Sequence, residues 1–371
     1  MTLFSARLAV SLAAPLAIMA VAATSAFAAP TLAPVQAPAG LTPAAVYVGG
    51  RVVRADSGSF TYQWPGTYFE TAFTGTELYF RLGSGDVILH VNVDGEALTP
   101  MVKPAAGTYR LSGLAAGPHT VRIEVASESQ AGPDRFDGFF LTSNDTPGIV
   151  AERSRSIEFI GDSHTVGYGN ISPSRDCTTD QVWATTDDTQ AFGALTARHY
   201  SADYRINAIS GRGIVRNYDN FPADHLPEVY PYLLFDKAQM DTDTHWQPQV
   251  VVIALGTNDF STPLKAGEPW KDRDALHADY EKTYVAFVQS LRKRYPQTTF
   301  VLWATDLANG EIQAEVTRVV AQLKQAGETR ISFVPVNGLT MTGCHWHPST
   351  VDDKTISDDL IKAIDATGAW K

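Results

Sequence analysis

The hydrophobic period of this 371-residue chain changes once, near residue 150, and each side of the change admits only a narrow set of folds. Between residues 45 and 146, apolar and polar residues alternate in short runs: Val46–Val48, Phe60–Trp64, Phe69–Phe73, Glu77–Leu82, Val87–Val93, Gly107–Leu111, His119–Val125 and Gly138–Leu141. Turn residues such as Asp94-Gly95 and Ala116-Gly117-Pro118 bound them. A period of two with frequent turns and no helical spacing predicts an antiparallel β-sandwich of jelly-roll type over 45–146. Beyond residue 155, short apolar runs (Ser156–Ile160, Val250–Leu255, Phe300–Trp303) alternate with helical stretches over Ala191–His199, Leu276–Arg294, Gly310–Gln325 and Ile356–Ala366. This alternation predicts a second, α/β domain over 155–371, built on a parallel sheet covered by helices on both faces. Hydrophobic residues make up 44% of the chain, enough for two cores.

The first 28 residues follow neither pattern. Arg7 is their only charge, Leu8 to Val21 is almost wholly apolar, and Ala26-Phe27-Ala28 closes the run. Residues 1–28 therefore read as a secretory signal cut after Ala28, with a retained membrane anchor as the competing reading. The protein is expected to be secreted or periplasmic, with no membrane partner after cleavage. The Pro/Ala-rich stretch 29–44 reads as extended linker. A net charge of −11 repels phosphate backbones and excludes nucleic acid as a partner. Only two cysteines occur, Cys177 and Cys344, too few for a disulfide-dense module or a four-cysteine zinc site.

Ligands of parallel sheets bind beyond the C-terminal ends of the strands, so the residues that follow each apolar run carry the chemistry. After Ile157–Ile160 comes Gly161-Asp162-Ser163-His164, which offers a hydroxyl nucleophile and backbone N–H groups. After the strand ending near Ile206 comes Ser210-Gly211-Arg212-Gly213, where a glycine lets a backbone N–H approach a substrate. After Val250–Leu255 comes Gly256-Thr257-Asn258-Asp259, whose Asn258 amide is a further donor. Near the C-terminus, Cys344-His345-Trp346-His347-Pro348 supplies an imidazole as general base. Each piece alone also fits a turn or a helix cap. Together, four complementary groups make a candidate site: Ser163 and His347 catalytic, with Ser163, Gly211 and Asn258 as an oxyanion hole.

Gly161-Asp162-Ser163, the block around Gly211, Gly256-Thr257-Asn258-Asp259 and His347-Pro348 resemble the four sequence blocks of the SGNH (GDSL-type) hydrolases. The sandwich in front, with Gly49-Gly50-Arg51 and Val93-Asp94-Gly95, is similar to carbohydrate esterase family 2. The resemblance implies an SGNH hydrolase fold for 155–371 and an exported acetyl xylan esterase-like activity. The substrates would be acetylated polysaccharides or hexose acetates. No cofactor or metal is implied. A lipase or thioesterase of the same superfamily, and a weakly catalytic carbohydrate-binding protein, are the alternatives.

The family pattern also implies an aspartate two or three positions before the histidine, where this chain has His345 and Cys344. Two ways of orienting His347 are open: a backbone carbonyl, or a carboxylate from elsewhere such as Asp352 or Asp353. Cys344 reads as half of a disulfide whose partner can only be Cys177; a metal site from Cys344, His345, His347 and His164 is the rival. Trp346 is a candidate platform for a sugar ring and His345 a residue near the sugar, while Trp303 reads as core. The aromatics Tyr62, Trp64, Tyr68, Phe69, Tyr79 and Phe80 fit either a sandwich core or a sugar-binding face.

Overall fold

The computed structural model describes residues 1–2 and 29–370, so the leader expected over 1–28 lies almost wholly outside the described residues. Two seven-stranded antiparallel sheets form the N-terminal domain. One includes Gly107–Ser112, Leu78–Leu82 and Asp134–Leu141; the other includes Ile88–Val93, Gly117–Val125 and Tyr68–Gly75. Their inner faces meet through rings contributed alternately along each strand: Phe69 of one sheet stacks on Phe136 of the other at 4.3 Å between centroids. Tyr62, Phe69, Tyr79 and Phe80 are buried, so they are core and form no exposed sugar-binding face.

The stretch expected as linker is part of this sandwich. Thr31–Val35 pairs antiparallel with Gly107–Ser112, and Thr42–Pro43 pairs with Phe140 and Leu141. Leu32 packs against the sandwich core, and that apolar contact is what a proline-rich reading overlooks. Pro34 is tolerated because the strand lies at a sheet edge.

The second domain carries a five-stranded parallel sheet, with Ser156–Gly161 between Asp203–Ala208 and Val250–Ala254, followed by Thr299–Thr305 and Ile331–Val336. Numbered by sequence, the strand order is 2-1-3-4-5, which reverses direction beside the first strand and opens a crevice there. Alternate residues serve opposite faces. Val251 and Ile253 pack under helices Arg273–Arg294 and Glu311–Gln325, whereas Val250 and Val252 pack under Phe192–His199 and Thr350–Thr367. No helix among the described residues is long and apolar enough to cross a membrane.

Trp64 and Tyr68 belong to the sandwich in sequence but bury themselves against the second domain. The Trp64 indole N–H donates to the Tyr232 carbonyl at 3.2 Å, and the Tyr68 hydroxyl to Asp203 at 2.7 Å. Arg51 crosses the same boundary to Glu158, 3.1 Å away, both side chains fully buried. Tyr230, Trp246 and Asn207 also donate to Glu158, so the carboxylate is well supplied in its low-dielectric position.

Candidate active site

Ser163 opens a one-turn helix, Ser163–Val166, at the end of the first parallel strand. Asp162 caps that turn by accepting the His164 N–H at 3.1 Å, and Gly167 ends it in the left-handed conformation. The backbone of the turn is therefore held at both ends, with the serine at the strand terminus. The His347 Nε2 lies 2.9 Å from Ser163 Oγ.

The other ring nitrogen of His347 faces two carbonyl oxygens, those of Cys344 at 2.9 Å and His345 at 3.2 Å. Carbonyls only accept, so Nδ1 carries the hydrogen and Nε2 is left free to receive the serine proton. The loop supplies these carbonyls because His345 and Trp346 both adopt positive φ, 51° and 62°. That turn folds the backbone under the imidazole. Neither candidate carboxylate reaches it. Asp352 is the capping partner of Ser349 and also accepts from Thr340 and Met341. Asp353 accepts from Asn170 and the Phe192 N–H.

Asn258 closes the site. Its amide donates to Asp162 at 3.1 Å and to the Arg212 carbonyl at 2.9 Å, which joins the nucleophile turn to the glycine loop. Gly211 has φ +81°, a backbone that L side chains rarely adopt, and an added Cβ would meet Phe221 at 2.9 Å. Among the described residues the Gly211 and Ser163 N–H groups have no acceptor. Asp259, to which the sequence alone gives no separate role, organises the same loop: its two oxygens accept the N–H groups of Ile214, Val215 and Arg216.

Around this centre, Tyr168 lies against His347 with 4.3 Å between ring centroids. Its hydroxyl bonds His345 Nδ1 at 3.0 Å, while His345 Nε2 donates to the Cys177 carbonyl at 2.8 Å. His345 thus ties the histidine loop to its neighbours. Cys177 and Cys344 are joined by a disulfide. Cys344 and His345 are engaged in these bonds, so the alternative metal cluster is not assembled. Trp346 is 65% exposed, with the Arg175 guanidinium 3.9 Å over its ring; Trp303 is buried.

Burial shapes the electrostatics. It pushes the His347 imidazole down to about 4, against the opposing pull of the Cys344 and His345 carbonyls. Neighbouring His164 falls to about 3, by burial and then by the proximity of His347. The Asp162 carboxyl rises to about 7, chiefly by burial.

Known proteins resemble the chain over both domains. Residues 48–147 match the carbohydrate esterase 2 N-terminal family, and residues 159–360 the GDSL-like lipase/acylhydrolase family. An acetylxylan esterase/glucomannan deacetylase of Cellvibrio japonicus (strain Ueda107) is 45% identical over 334 residues, covering 88% of this chain and 93% of that protein. A solved carbohydrate esterase, whose active site displays divergent catalytic and non-catalytic binding functions, superimposes with TM-score 0.84 at 43% identity. That match covers 89% of this chain and 100% of the other. A family two carbohydrate esterase from Clostridium thermocellum in complex with cellohexaose gives TM-score 0.79 at 28% identity, covering 88% and 100%. With both halves matched and a 45% identical esterase along most of its length, the chain is a carboxylic ester hydrolase that belongs to carbohydrate esterase family 2.

Proposed function

We propose that this protein is an exported serine esterase that removes acetyl groups from carbohydrates such as acetylated xylan, glucomannan or hexose acetates. The observation that carries the reading is the 2.9 Å approach of Ser163 Oγ to a His347 ring whose Nδ1–H is held by carbonyls. Ser163 attacks the ester carbonyl while Nε2 takes its proton. The Cys344 and His345 carbonyls hold the imidazolium in place, the part a carboxylate plays in a triad. Charge on the tetrahedral oxygen meets the Ser163 and Gly211 N–H groups and the Asn258 amide. Asn258 is the adjustable donor, because one of its hydrogens must leave Asp162 or the Arg212 carbonyl to reach the oxygen. Collapse expels the sugar oxygen, which takes the proton from His347, and leaves acetyl on Ser163. Water activated by His347 then releases acetate and restores the serine.

The choice of acetyl esters of sugars rests on the named activity of the 45% identical relative and on the cellohexaose held by a structural neighbour. Trp346, exposed on the histidine loop, offers a flat apolar surface suited to a pyranose face. Export rests on the leader sequence and on the disulfide. Ser163→Ala should abolish hydrolysis of an aryl acetate, and retention of the wild-type rate would sink the mechanism. In an acyl-length series the optimum should fall at acetyl; an optimum at octanoyl or longer would assign a lipid substrate instead. NMR of acetylated xylan and glucomannan during the reaction identifies the hydroxyl released.

A further inference from the structure

The segment between strands Gly117–Val125 and Asp134–Leu141 of the sandwich leaves its own domain and reaches the loop that carries Gly211. Glu128 accepts the Ser210 N–H at 2.7 Å. Gln130 Nε2 donates to the Ser210 carbonyl at 3.3 Å and to Glu128 at 3.0 Å, which links the two side chains. The Ser210 carbonyl and the Gly211 N–H are opposite ends of one planar peptide unit. A donor that fixes and polarises the oxygen at one end also aims the hydrogen at the other and strengthens it as a donor. That hydrogen has no acceptor among the described residues. Burial raises the Glu128 carboxyl above its usual range, against the opposing pull of the Ser210 hydrogen bond.

We infer that Glu128 and Gln130 are positioning residues that hold the Ser210–Gly211 peptide for the oxyanion, so that the sandwich supplies part of the catalytic apparatus. This rests on the esterase reading above. A role in transition-state stabilisation alone lowers kcat and leaves KM where it was. Gln130 is exposed and its removal leaves no cavity, so Gln130→Ala tests the point in a folded protein. On an aryl acetate, kcat should fall about tenfold with KM and melting temperature unchanged, short of the about 100-fold or more lost with an oxyanion donor itself. Gln130→Glu keeps the length but turns a donor into an acceptor facing the Ser210 carbonyl, and kcat should fall further. An unchanged kcat for Gln130→Ala, or a raised KM at constant kcat, overturns the inference while the esterase reading stands. A wild-type protein with no Ser163-dependent hydrolysis brings down both.

Discussion

An imidazole acts as a general base only when neutral, and in this site burial decides where neutrality begins. With His347 held down to about 4, against an ordinary 6.5, the base form persists well into acid. The acidic limb of kcat/KM should therefore lie below 6.5, close to pH 4, in a profile measured on an aryl acetate. A limb at or above 6.5 would mean that the site is wet or that a carboxylate approaches the ring. The same shifts act on stability with a definite sign. The unfolded chain binds more protons than the native one at His347 and His164 between their depressed values and 6.5, so stability falls as pH drops through that window. Asp162, raised to about 7, works the other way: it stabilises below its unfolded value of 3.8 and loses that contribution as pH rises toward 7. As candidates, Ser163, Gly211, Asn258 and His347 were legible in the sequence because each has a side chain or conformational freedom with its own chemistry. The support of His347 was not, because backbone carbonyls leave no trace in residue identity and the turn that aims them is made by two non-glycine residues, His345 and Trp346.

At the scale of elements, the loop that bears the base is held by a covalent tie across 167 residues. Closing so long a loop in the unfolded chain is worth about 5 kcal/mol in the chain-entropy account, an upper figure. Cys177→Ser should lower stability in a denaturant melt by up to that amount. Because Cys344 presents the carbonyl nearest His347, kcat should fall as well. A variant with wild-type kcat and stability would show that the loop is set by its hydrogen bonds alone. Most of the longer strands and helices followed from their period, though helix Thr350–Thr367 begins six residues before the stretch read and strand Asp134–Leu141 four. Several did not, among them Val52–Arg54, Thr179–Thr185, Ile331–Val336 and Thr31–Val35. Ile331–Val336 is an edge strand interrupted by exposed Pro335, so it lacks the continuous apolar run of its buried neighbours. Thr31–Val35 hides a sheet edge under a composition that reads as linker.

For the whole molecule, the boundary between the halves holds buried charge. Arg51→Ala would leave Glu158 buried without its guanidinium and should cost about 3–5 kcal/mol, read as a lowered melting midpoint. A loss below about 1 kcal/mol would show that Tyr230, Trp246 and Asn207 suffice to hold the carboxylate. None of these partnerships was legible in the sequence, since a lone arginine in a strand-rich half names no partner across the chain. Glu128 and Gln130 belong to the sandwich, so Ser210 meets them only where the two domains have docked. The proposed nucleophile and base stand 184 residues apart in the chain, and the base comes only with the loop that carries Cys344. A chain that ends before that loop would hold Ser163 without a proton acceptor and Cys177 as a lone thiol, so truncation there should silence the esterase.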